Sequence, residues 1–166
     1  MLIIDAGGAK DRASIPLATK RGNFIPNERG LYRPPEALEE AAKIWQDKYP
    51  NIRVRSLTSE YNCVGMVFGC RRTAIDIEHI GLILKEDSYR RLYSEGEVLP
   101  GDVVLYGNGD RYTHIGTILS KEPDVKNASF KITVLSQWGF DGEYIHLLDE
   151  VPDNYGNVKE FWTERS

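Results

Sequence analysis

A change of texture at Leu99-Pro100-Gly101-Asp102 constrains this chain more than any other feature. Before it, the apolar residues Leu38, Ala41, Ala42 and Trp45 recur at three- and four-residue steps, the spacing of one helix face. After it come short β-rich runs: Val103-Val104-Leu105-Tyr106, Thr113 to Leu119, Phe130 to Leu135 and Glu143 to Leu148. Asn108-Gly109-Asp110 between the first two is a hairpin signal. Helices first and strands second predict an α+β domain, with N-terminal helices packed on an antiparallel β-sheet.

Local signals place the elements. Proline suits the first turn of a helix from Pro35 to about Lys48, Glu36, Glu39 and Glu40 sit where negative charge favours the dipole, and Tyr49-Pro50-Asn51 ends it. Ile52 to Arg55 alternates as a short strand. Ser59 or Asn62 caps a helix expected from Cys63 to about Arg72. A further helix is expected from Lys85 to Tyr93, and an edge strand at Phe161-Trp162-Thr163. Residues 1–34, rich in Gly and Pro, read as an extended arm. Residues 35–166 then form one domain, which a chain of 166 residues can supply with a core.

Composition excludes several classes. An apolar fraction of 41% and a charged fraction of 28% are ordinary for a soluble globular protein. The net charge of −4 gives no basic surface for nucleic acid, and the run Arg53, Arg55, Arg71, Arg72 reads as solvated or paired. No stretch is long and apolar enough to span a bilayer, and the N-terminus does not read as a secretory leader, so the expectation is a cytoplasmic protein without a membrane partner. Cys63 and Cys70 lie seven residues apart, two turns of one helix, which predicts two free thiols rather than a disulfide. Cys70, beside Met66, Val67 and Phe68, is expected in the core. The histidines and cysteines lack close ligand spacing, so neither a metal nor a cofactor is expected.

Two residues carry candidate chemistry. Cys63 stands at a predicted helix start, where unpaired backbone N–H groups and the dipole favour thiolate, the attacking species. Its own N–H would form half of an oxyanion hole. His114 lies in a predicted strand, sharing a face with Gly116 and Ile118, and Gly116 is expected to leave open space beside the imidazole. A third group must set the ring's tautomer. Ser136 or Gln137, at the end of the next strand, can offer a side-chain oxygen, with Glu143 and His146 further along.

Tyr61-Asn62-Cys63-Val64-Gly65, Leu99-Pro100-Gly101-Asp102 with the strand after it, and Thr113-His114-Ile115-Gly116 together resemble the papain-like superfamily, in its NlpC-type and CHAP-type amidase and peptidase branch. Ser136-Gln137-Trp138-Gly139 is similar to the papain run Asn-Ser-Trp-Gly, with Ser136 where Asn would stand. The resemblance covers about residues 59–148. It implies a papain-like fold, Cys63 as nucleophile, His114 as base and a residue around Ser136 as the third member. It also implies that Tyr61, Asn62 and Trp138 lie at the oxyanion or substrate-binding site. The implied partner is a peptide, amide or murein-like small substrate. Transfer of the acyl group to an amine or thiol, and a non-catalytic binding or toxin/immunity role on the same scaffold, stay open beside hydrolysis.

Overall fold

A computed structural model describes residues 14–166. Among them, in chain order, are β1 (Asn27–Glu28), α1 (Pro35–Lys48), β2 (Arg53–Ser56), α2 (Cys63–Phe68), β3 (Ala74–Ile75), α3 (Ile80–Glu86), β4 (Arg90–Leu92), β5 (Val103–Asn108), β6 (Arg111–Asp124), β7 (Ser129–Gln137), β8 (Glu143–Leu147) and β9 (Asn157–Thr163). Short 3₁₀ turns precede α3 (Ile77–His79), β5 (Glu95–Glu97) and β9 (Asp153–Tyr155). Seven strands form one antiparallel sheet in the order β2-β8-β7-β6-β5-β9-β4, and β1 pairs with β3 in a small second one. The mixed architecture, a large antiparallel sheet with few helices, agrees with the expected class.

α1 occupies the span its pattern predicts, with Leu38 and Ala42 buried and Trp45 and Tyr49 packed edge-on against Trp138. Gly109 takes the positive φ of the β5–β6 turn. The Pro-Gly-Asp entry to β5 is held by Asp102, which accepts the Leu99 N–H at 2.8 Å and pairs with Arg165 at 2.6 Å.

Three expectations need correction. The helix expected from Lys85 to Tyr93 is displaced: α3 ends at Glu86, Ser88 has a positive φ, and Arg90–Leu92 becomes β4, paired with β9. Pairing with a distant strand overrides the local helical preference. In consequence Phe161-Trp162-Thr163 lies inside the sheet, because β4 covers β9. The helix at Cys63 stops at Phe68, so Cys70 is outside it, exposed rather than core; both cysteines are free.

Of the expected arm, the first 13 residues lie outside the described ones. The part that follows packs along α3 and β3: Thr19 and Asn23 bond Glu86, and Asn27 takes the Thr73 hydroxyl.

The sheet separates two interiors. On one face Val103, Leu105 and Ile115 pack under α2 and α3, against Cys63, Val64 and Ile80. On the other, Val104, Tyr106, Ile118 and Val134 pack with Leu148, Val151 and Phe161, and this face continues into the α1 cluster around Trp138 and Tyr144. The period-two alternation of β5, β6 and β7 makes this division.

Candidate functional site

Cys63 is the first residue of α2, and Asn62 is its cap. Asn62 Oδ1 accepts from Gly65 N at 2.9 Å and from Ile75 N at 3.1 Å, while its Nδ2 donates to the Ile75 carbonyl at 2.7 Å. Asn62 therefore fastens the helix start to β3. Gly65 allows the approach: a Cβ there would lie 1.7 Å from the Thr73 carbonyl oxygen. These contacts give Asn62 and Gly65 of the short Cys motif a physical reason. Asn62 also lines an open cleft of about 450 Å³ at the helix start, with Asn27, Ile75, Asp76, His79 and Phe140.

The Cys63 side chain is buried, 8% exposed, and burial pushes its thiol up to about 11. Backbone amides of Ile115, Val64 and Cys63 itself act in the opposite direction, toward thiolate. The Ile115 amide is free for this because the β6–β7 ladder begins only at Thr117 with Leu135.

His114 is the residue before Ile115, on the other face of β6. It pairs across the ladder with Tyr106 and is fully buried. Neither ring nitrogen has a hydrogen-bond partner among the described residues. Burial, then the nearby His146, holds its pKa well below the ordinary histidine value. The imidazole lies flat on Tyr155, with centroids 3.9 Å apart and planes at 3°, and Tyr106 stands on it at 5.6 Å. No hydrogen bond joins His114 to Cys63. Tyr155 stacks on the imidazole, and a thiolate at Cys63 would raise its phenol.

The structure fills the space expected beside the imidazole. A Cβ on Gly116 would meet Val134 Cγ1 at 2.6 Å and Ser136 Cβ at 3.2 Å, so β7 occupies that place. Gly116 serves close strand approach, not an opening.

Ser136 and Trp138 lie on the His114 side of the sheet, but their bonds go elsewhere. Ser136 Oγ is 2.8 Å from His146 Nε2 and takes the Trp138 indole N–H at 3.0 Å. His146 Nδ1 faces the Leu147 carbonyl at 2.7 Å, an acceptor only, so Nδ1 carries the proton and Ser136 donates to Nε2. Burial lowers His146 to about 4, against the opposing Leu147 carbonyl. Gln137 Nε2 donates to the Thr58 carbonyl at 2.8 Å, and its Oε1 has no partner among the described residues. The expected bond from Ser136 or Gln137 to His114 is therefore absent from this conformation, and the orienting hydroxyl meets the other imidazole.

Tyr61 belongs to a charged cluster on the α2 face. Glu143 is fully buried and accepts from Tyr61 Oη at 2.7 Å, Arg71 Nε at 2.6 Å and Arg55 Nη1 at 2.7 Å. Burial and then Glu143 raise the Tyr61 phenol, so it stays protonated and donates. The basic run is thus half accounted for: Arg55 and Arg71 hold Glu143. This cluster and Tyr155 are what sequence reasoning missed. Glu143 was visible there only as a distant alternative for the third residue, and Tyr155 carries no motif.

No helix among the described residues is long and apolar enough to cross a membrane. Comparison with known proteins adds no relative: no family model matches the chain, and neither a curated protein nor a solved structure does.

Proposed function

We propose that this protein is a cysteine amidohydrolase or peptidase of papain-like type, in which Cys63 attacks an amide carbonyl and His114 manages the proton. The observation that carries this reading is the position of the sulfur. Cys63 opens a capped helix, and its sulfur is served by the backbone amide of Ile115, the residue next to His114. The sulfur and the imidazole thus approach neighbouring residues of β6 from opposite faces of the strand. The thiol gives its proton to a ring nitrogen, the thiolate forms an acyl-enzyme, and the imidazolium then protonates the leaving amine. Water, activated by the neutral imidazole, releases the acid. The Cys63 N–H and neighbouring amides at the helix start are suited to hold the oxyanion. The cleft beside Asn62 would admit a peptide, amide or murein-like fragment.

In the resting conformation both groups are neutral, unjoined and on opposite faces of β6, so the reading requires them to be brought within reach of each other when substrate binds. Catalytic hydrogen bonds are often long without substrate. The same observation favours a second reading, a non-catalytic binding module on this scaffold.

Thiol labelling separates the two. Burial alone makes Cys63 a slower thiol than exposed Cys70. Transfer of its proton to His114 reverses that order. We expect iodoacetamide at low concentration to label Cys63 first, and Cys63→Ala to abolish both that label and all turnover on a peptide and murein-fragment panel. His114→Ala should slow the labelling of Cys63 and leave Cys70 unchanged. Preferential labelling of Cys70 with Cys63 ignored decides for the binding module.

A further inference from the structure

We infer that Tyr155 is the positioning residue of His114, setting the imidazole plane with an aromatic face where a third residue would use a hydrogen bond. The inference rests on the hydrolase reading for its catalytic meaning, and on packing geometry for the rest.

The usual means of orienting a ring are absent. Both imidazole nitrogens are without partners among the described residues. Ser136 is committed to His146 and Trp138, and the Gln137 amide nitrogen to Thr58. What remains is contact with rings. Tyr155 lies parallel to the imidazole at 3.9 Å, and Tyr106 closes the other contact at 5.6 Å and 44°.

Tyr155 is itself held in place by the neighbour of the residue it covers. The Thr113 hydroxyl donates to the Tyr155 carbonyl, so the residue preceding His114 anchors the ring that lies on His114. The Asp153–Tyr155 turn is followed by Gly156 at a φ of 74°, where a Cβ would lie 2.3 Å from Asn108 Oδ1. The backbone path that delivers the ring is therefore tightly specified.

The stack has a chemical consequence beyond orientation. A tyrosine face attracts a cation above it, and most strongly where water is excluded. When His114 takes the Cys63 proton, one S–H bond breaks, one N–H bond forms, and an imidazolium appears beneath that face. The titratable groups packed around it are Tyr106 from β5, His146 from β8 and Tyr155 itself, with Cys63 across β6. Of these, Tyr155 alone lies parallel against the ring.

The test uses the full chain with Tyr155→Phe, Tyr155→Leu and pentafluorophenylalanine at position 155. The last keeps the ring's shape and reverses the charge of its face. Two readouts are taken across pH: the rate of iodoacetamide alkylation at Cys63, and the titration of the His114 ring by imidazole NMR. Tyr155→Phe should stay within about twofold of the parent, because the face remains. Tyr155→Leu should slow alkylation near neutral pH about tenfold, the scale of one cation–π contact, and move the His114 titration to lower pH. The fluorinated ring should do the same while the fold is unchanged, so misfolding of the leucine variant would not remove the test. If the leucine and fluorinated variants match the parent in both readouts, the inference is overturned. Damage from Tyr155→Phe equal to that from leucine also overturns it, since the hydroxyl and not the face would then matter. If parental Cys63 resists alkylation, the hydrolase reading alone falls. The His114 titration, repeated in Cys63→Ala, still decides whether the ring clamp exists.

Discussion

The two faces of the central sheet bury polar groups equally deeply and treat them in opposite ways. On the α2 face, Glu143 is surrounded by Tyr61, Arg55 and Arg71, two cations and a phenol directed at one carboxylate. On the other face, His114 and His146 are stripped of water and kept neutral, one with a single acceptor and a single donor, the other with neither. The difference follows from what can reach solvent. Arg55 and Arg71 are half-exposed, so their charge is largely hydrated while their donors point inward. Among the described residues no carboxylate meets either buried imidazole, and there the neutral form is favoured. Cys63 and His114 stand on either side of this divide, so the proposed proton transfer would have to cross it.

The comparison breaks first at Glu143. Glu143→Leu should destabilise the protein by about 3 kcal/mol, because three donors lose their common acceptor. The half-exposed arginines can turn to water, which holds the loss to the lower end of what breaking a buried pair costs. Tyr61 cannot turn away so easily, and it lies two residues before Cys63. Urea unfolding at neutral pH measures the change. A loss below about 0.5 kcal/mol would mean that the cluster is surface decoration, and that the two faces are not different in kind.

A pH series tests the drier face. An unfolded histidine takes a proton near 6.5, whereas His146 in the fold takes one only near 4. Between those values the unfolded chain binds more protons, so stability falls as pH drops from 7 toward 5. His114 acts in the same direction. At pH 5 the medium is about 1.5 units below the unfolded value, worth roughly 2 kcal/mol for His146 alone. His146→Gln should therefore flatten the fall in unfolding free energy between pH 7 and 5 by about that amount. An unchanged slope would show that His146 is protonated in the fold, and the contrast between the faces would vanish.

How far these features were legible in the chain depends on their range. α1, the β5–β6 hairpin and the capped start at Asn62-Cys63 rest on signals within a few residues, and the fold keeps them. Arg90-Arg91-Leu92 lacked such a signal: its strand exists because β9 lies beside it, some seventy residues on. Gly116 was ambiguous in principle, since a glycine in a strand marks either an opening or a close approach, and only β7 decides which. Ser136 was expected to orient His114, but in the structure its hydroxyl meets His146. Tyr155 was invisible, because a stacking ring has no spacing rule that ties it to a histidine 41 positions earlier.

Ser136→Ala gives the smallest expected effect and the sharpest view of the divide. The change removes the hydroxyl between His146 Nε2 and the Trp138 indole N–H. Those two rings already lie 5.5 Å apart by centroid, so a small shift lets the indole donate to the imidazole directly. The cost should be about 1 kcal/mol, below that of two buried polar groups left unpaired. Alkylation of Cys63 should change by less than about threefold, because the hydroxyl bonds His146 and not His114. A general acid–base partner contributes on the order of 100-fold or more. A loss of that size in Ser136→Ala, with His146→Gln harmless to alkylation, would move the hydroxyl to the His114 ring during turnover. It would also make the neutral interior a participant in the chemistry instead of its support.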